Sequence, residues 1–152
     1  MNNQIHIRRA TNDDAGKIIQ FNIAMAQETE AKQLNPDKVA RGVRNLFSHP
    51  GYGFYIVAEM DQQIIGSLMI TFEWSDWRDG LFWWIQSVYV LPQQRRKGVF
   101  RLLYHYIREK AAAEQNVCGL RLYVDKHNAI AQNTYHALGM KRTGYGLFEQ
   151  EF

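Results

Sequence analysis

The stretch from residue 81 to residue 124 sets the tightest limit on the fold. Residues 81–91 are almost continuously apolar and end at Pro92. A strand of that character is covered on both faces, because a strand with one wet face alternates. A basic loop with one glycine follows. Val99, Leu102, Leu103, Tyr106, Ile107 and Ala111 then recur on one face of a helix that runs to about Glu114. Residues 119–124 read as the next strand. Strand, helix and strand in succession imply one parallel pair.

The rest of the chain surrounds that unit. Residues 5–9 alternate as a first strand. Thr11-Asn-Asp-Asp14 resembles a capping box, and Ala15, Ile18, Ile19, Ile23 and Ala26 follow at helical spacing. A second helix opens at Asn35-Pro36, carries Val39, Val43, Leu46 and Phe47 on one face, and stops at Ser48-His-Pro-Gly51. Residues 54–60 and 64–73 read as strands around a turn at 61–63, and 74–80 as a polar and aromatic loop. Asn128 can cap a short helix through Leu138, with Gly139 as its stop. Residues 140–142 and 145–152 read as two final strands. The expected order is β-α-α-β-β-β-α-β-α-β-β. This is an α/β fold: a mixed, mostly antiparallel central sheet with helices on both faces, in one domain spanning 1–152.

Composition removes several functions. No apolar run reaches the roughly 18–20 residues of a membrane-spanning helix. The first nine residues lack the apolar core of a secretion signal, so a cytoplasmic location is expected. The single cysteine, Cys118, has no internal partner and reads as a small core or edge residue. No metal-ligand spacing is present, so no metal is expected. A net charge of +3 is too small to imply nucleic acid.

The chemistry concentrates where the apolar strand meets its helix. Arg95, Arg96, Lys97 and Arg101 surround Gly98. Amides at a helix N-terminus lack helical partners and face the positive end of the helix dipole, which makes an anion site. Gly98 lets a ligand approach the backbone. A phosphate or pyrophosphate is therefore expected on the amides from about Arg96 to Arg101. The plainer alternative is a solvated basic loop.

Val88-Tyr-Val-Leu-Pro92 and Arg95-Arg-Lys-Gly-Val-Phe100 resemble the pyrophosphate motif [RQ]-x-x-G-x-[GA] of the GCN5-related N-acetyltransferases, with Phe100 in place of a small residue. Asn128, Ala131, Tyr135, Gly139 and Met140 match the later motif N-x-x-A-x-x-x-Y-x-x-x-G-[FM] at every step. The resemblance covers nearly the whole chain. It implies acetyl-CoA as cosubstrate, with its pyrophosphate on Arg95, Arg96, Lys97, Gly98, Val99, Phe100 and Arg101. It further implies a pantetheine arm along the backbone of Val88, Tyr89 and Val90, a contact from Asn128, and Tyr135 as general acid to the leaving thiolate. It also implies a homodimer.

The acceptor would be an amine. Residues 74–90 are similar to the diamine (spermidine/spermine) branch, although Gln86 stands where that branch commonly has a glutamate. Glu73, Asp76 and Glu149 are candidate bases, and Trp74, Trp84 and Gln86 candidate acceptor contacts. All four tryptophans fall between Trp74 and Trp84, and aromatic faces attract cations. A small-molecule amine, polyamine or amino-acid-like, is the expected acceptor, with no nucleic acid or membrane partner. A peptide or protein N-acetyltransferase, a non-catalytic acyl-CoA-binding module and a nucleic-acid-binding domain are the alternatives.

Overall fold

The computed structural model describes residues 3–152. Its elements run β1 (His6–Arg9), α1 (Ala15–Glu30), α2 (Pro36–Ser48), β2 (Gly53–Met60), β3 (Gln63–Ser75), β4 (Gly80–Val90), α3 (Val99–Ala113), β5 (Val117–Leu122) and α4 (Ala129–Ala137). The strands form one open sheet in the order β1-β2-β3-β4-β5. All neighbours pair antiparallel except β4 and β5, which are parallel.

Local sequence sets several boundaries. The Thr11 side chain and the Asp14 carboxylate form a capping box at the entry to α1. Asp14 also accepts both terminal nitrogens of Arg8 (2.8 and 2.9 Å), which ties β1 to that entry. The guanidinium holds its carboxyl below the usual range. Asn35 accepts from the amides of Asp37 and Lys38, and Pro36 opens α2.

Strand alternation divides the core in two. Ile56, Leu68, Ile70, Trp83 and Ile85 face α3, where Leu103 and Ile107 are fully buried. Tyr55 and Val57 face the other way, onto Ala15 and Ile18 of α1 and Val43 and Leu46 of α2. Helices thus cover both faces, as the apolar run of β4 requires.

The structure corrects the end of the chain. The expected strands at 140–142 and 145–152 do not form, and residues 141–152 are coil without a ladder partner among the described residues. Their alternation records extended propensity, but a strand exists only when a neighbour accepts its hydrogen bonds. Two smaller shifts follow. Strand β5 begins at Val117 and takes Cys118 into its exposed edge. The 74–80 loop is shortened, because β3 continues to Ser75 and a single 3-10 turn covers Asp76–Arg78.

Candidate active site

The site begins as a defect in β4. Met69 pairs with Gln86 and Ser67 with Tyr89, so Ser87 and Val88 together stand opposite Leu68. This is a β-bulge, and Ser87 at its centre has φ +50, left-handed for a residue with a side chain. The bulge turns β4 away from β5. Their ladder runs from Leu81↔Val117 to Ile85↔Leu122 and goes no further. Beyond Ile85 the edge of β4 is unpaired on that side, and a cleft of about 250 Å³ opens, lined by Ile85, Gln86, Ser87, Val88, Leu122, Tyr123 and Tyr135.

Above the cleft lies the start of α3. Arg96 (φ +63) and Gly98 (φ +81) are both left-handed, and the chain between them folds back so that Gly98 caps the helix. A Cβ at Gly98 would meet nothing within 4 Å, so the backbone there is open to a ligand. The first intrahelical bond runs from the Leu102 amide to the Gly98 carbonyl. The amides of Val99, Phe100 and Arg101 have no acceptor among the described residues, as helix geometry demands. The Val99 side chain is buried against Gly66, so only its backbone faces outward.

The four basic residues are not equivalent. Arg95 turns away from the open amides: its Nε donates to the Val90 carbonyl (2.9 Å), and a terminal nitrogen donates to Glu28 Oε2 (2.6 Å). The Tyr89 hydroxyl donates to Glu28 Oε1 (2.9 Å). Arg95 and Tyr89 hold Glu28 below the usual carboxylate range, and burial with Glu28 pushes Tyr89 up. Glu28 therefore fastens α1, the end of β4 and the loop into one unit. Sequence reasoning missed it, because the contact spans 67 residues and an acid at the end of a helix carries no signal. Arg96, Lys97 and Arg101 have no ion pair among the described residues.

Tyr135 reaches the cleft from α4, half-buried and edge-to-face with Phe100 (centroids 5.9 Å apart). Burial raises its pKa, so it keeps its proton at neutral pH. The large side chain at Phe100 thus supports Tyr135. Asn128 spends its side-chain oxygen on the Ala131 amide (3.0 Å) as the cap of α4, which leaves its NH2 to donate.

The expected acceptor residues separate. Gln86 lies in the cleft and donates to the Thr71 hydroxyl (2.6 Å). Trp84 packs on the exposed Tyr123 (centroids 4.4 Å), forming an aromatic wall beside the cleft. Glu73 is ion-paired with Arg121, which lies over the Phe82 ring. Trp74, Trp77 and Asp76 sit at the tip of the β3–β4 hairpin, some six residues and about 20 Å of strand from Gln86. Trp83 points to the opposite face and packs in the core against Phe54 (5.2 Å). Glu149 lies in the exposed terminal coil. The cluster of tryptophans in sequence is therefore not a cluster in space, since adjacent strand residues face apart. Among the described residues no group of side chains is arranged to hold a metal, and no helix is long and apolar enough to cross a membrane.

An open sheet with a bulged central strand, a split parallel pair and a glycine-capped helix start makes up the frame of the site. The Acetyltransferase (GNAT) family matches residues 20–140, and the chain belongs to it. A solved structure described as a possible acetyltransferase from Clostridium difficile 630 is 42% identical, with a TM-score of 0.91 and 97% of each chain covered. A predicted acetyltransferase with acetyl-CoA from Clostridium acetobutylicum is 19% identical (TM-score 0.78, 97% of this chain and 96% of that one) and supports the fold. So does AAC(6')-Iy in complex with a bisubstrate analogue, CoA-S-monomethyl-acetylneamine, at 15% identity (TM-score 0.77, 98% and 99%). No curated protein sequence matches the chain. The protein is an acetyltransferase of a family that uses acetyl-CoA.

Proposed function

We propose that this enzyme transfers the acetyl group of acetyl-CoA to a primary amine of a small molecule, polyamine or amino-acid-like, by direct attack in a ternary complex. The observation that carries the reading is the split between β4 and β5 with Tyr135 over it. The amides of Val99, Phe100 and Arg101, with Arg96 and Lys97, suit a pyrophosphate. The unpaired edge at Val88 and Val90 suits a pantetheine arm running as a pseudo-strand, joined by the free NH2 of Asn128. Tyr89 contributes backbone only, because its side chain is engaged with Glu28.

A backbone amide near Val88 polarises the thioester carbonyl and stabilises the oxyanion that forms. The amine must be neutral to attack, and its proton leaves through water. Glu73 is the nearest candidate carboxylate by sheet register, and it is paired with Arg121. As the C–S bond breaks, Tyr135 donates to the thiolate. The Trp84–Tyr123 wall offers a cationic acceptor an aromatic face beside the cleft.

Tyr135→Phe keeps the ring that packs on Phe100 and removes only the hydroxyl. It should lower kcat by about 100-fold and leave acetyl-CoA affinity unchanged, read by release of free CoA across polyamines, amino acids and peptides. Spermidine and spermine come first in that panel, given the likeness of residues 74–90. Unchanged turnover removes Tyr135 from the role. Acetylation of peptides alone replaces the small-molecule acceptor with a protein one.

A further inference from the structure

The α3 face of the sheet holds a second opening, toward the start of β4, whereas the cleft lies toward its end. Its volume is about 420 Å³, within the roughly 300–1,000 Å³ of small-molecule sites. It shares no lining residue with the cleft. The sequence of α3 accounts for it. Ile107 is the last large apolar side chain that the helix buries, and the next buried position is Ala111, followed by two more alanines. Side chains that short leave part of the sheet beneath them uncovered.

The uncovered part is aromatic. Phe54 of β2, Phe72 of β3 and Trp83 of β4 form its floor. Phe54 meets Trp83 edge-on with centroids 5.2 Å apart, and Phe72 lies 6.1 Å from Phe54 and 6.3 Å from Trp83. Phe54 and Phe72 are only partly buried. Tilted rings of this kind present faces and edges on which a further ring packs favourably.

The rim is charged. Arg9, the last residue of β1, holds its guanidinium 4.4 Å from the Phe54 centroid. Lys110 of α3 holds its ammonium 5.3 Å from the Tyr106 centroid. Glu114 is the one carboxylate on the rim. None of the three is in an ion pair among the described residues. Two cations against one carboxylate make the mouth positive, above an apolar floor. A cationic ligand would meet like charge there, whereas a carboxylate finds a planar guanidinium and an ammonium.

We propose that this cavity binds a planar aromatic carboxylate, its ring on Phe54, Phe72 and Trp83 and its carboxylate held by Arg9 and Lys110. The site stands apart from the proposed reaction, because none of its residues lines the cleft or the start of α3. Both openings can therefore be filled at once.

Titration calorimetry with naphthoate, and with naphthamide as the same ring bearing an uncharged head, tests the assignment. One naphthoate should bind per chain with a Kd below about 1 mM, and naphthamide should bind about 10-fold more weakly, the worth of a charge-assisted hydrogen bond. Arg9 and Lys110 are exposed, so the double variant Arg9→Gln, Lys110→Gln keeps the fold. It should bring naphthoate down to the affinity of naphthamide and leave naphthamide unchanged. Saturating acetyl-CoA should alter neither titration. Equal affinity for the two probes, naphthoate binding untouched by the double substitution, displacement by acetyl-CoA, or no binding at millimolar concentration overturns the proposal. Loss of the proposed reaction, by contrast, leaves all these titrations as they are.

Discussion

Ser87 is where backbone strain and ligand binding share one free energy. At φ +50 it holds the bulge that parts β4 from β5. Ser87→Val puts a β-branched side chain into the left-handed region, and the added strain is about 1–2 kcal/mol. If the bulge persists, the whole amount appears as lost stability. For a chain of this length that lowers Tm by about 2–8 °C. If the bulge flattens instead, β4 closes on β5 and the unpaired edge is lost. The same amount then weakens acetyl-CoA binding, by about 5- to 30-fold. Thermal unfolding of the free protein and calorimetric titration with acetyl-CoA measure the two losses, whose sum should be about 1–2 kcal/mol. Ser87→Gly serves as the control. It relieves the strain while adding unfolded-state entropy, so the two offset to within about 1 kcal/mol and affinity is kept. A Ser87→Val protein with wild-type Tm and wild-type affinity refutes the reasoning, since the strain would then have nowhere to appear.

Two further predictions concern the frame around the site. Gly53 has φ +153, and a Cβ there would lie 1.9 Å from the Ile70 carbonyl oxygen, so Gly53→Ala should cost about 3–5 kcal/mol in urea unfolding. A loss under about 1 kcal/mol would mean that β2 and β3 can slide apart locally at no cost. Asp14 has a depressed pKa in the fold because Arg8 and the Thr11 amide bind its charged form. Its contribution is therefore present above the unfolded carboxylate value near about 3.9 and is lost as pH falls through the lower folded value. Asp14→Asn should cost about 1–3 kcal/mol at pH 7, and the gap from wild type should narrow below about pH 4. An equal gap at pH 7 and pH 3 would contradict the pairing.

Sequence reached the parts of this fold that local chemistry decides. Asn35 and Pro36 announce a helix because capping needs only neighbouring residues. The apolar run of β4 announces a central strand because both its faces must be covered. Gly98 after the basic run announces a helix start, and it caps α3. What escaped depends on partners far along the chain. The position of Ser87 is marked only by two adjacent polar residues, Gln86 and Ser87, inside an apolar strand. The turning of Arg95 toward Glu28 is invisible without knowing where α1 ends. The aromatic run from Trp74 to Trp84 looked like one pocket. A hairpin bend and the twofold alternation of strands place its members in the core, at the hairpin tip and beside the cleft.

The unpaired edge beyond Ile85 also governs how freely the sequence can drift. A ligand that lies beside a strand and bonds to its main chain is indifferent to the side chains it passes. Substitutions at Val88 or Val90 that keep the strand extended leave every such bond in place. On the proposed reading the fold stores its recognition in a shape, a strand left without a neighbour, and chains that share few residues can share the cosubstrate. Gln86 and Tyr123, whose side chains line the same opening, carry no such protection. On the same reading, the choice of acceptor can change by point substitution while the cosubstrate stays the same.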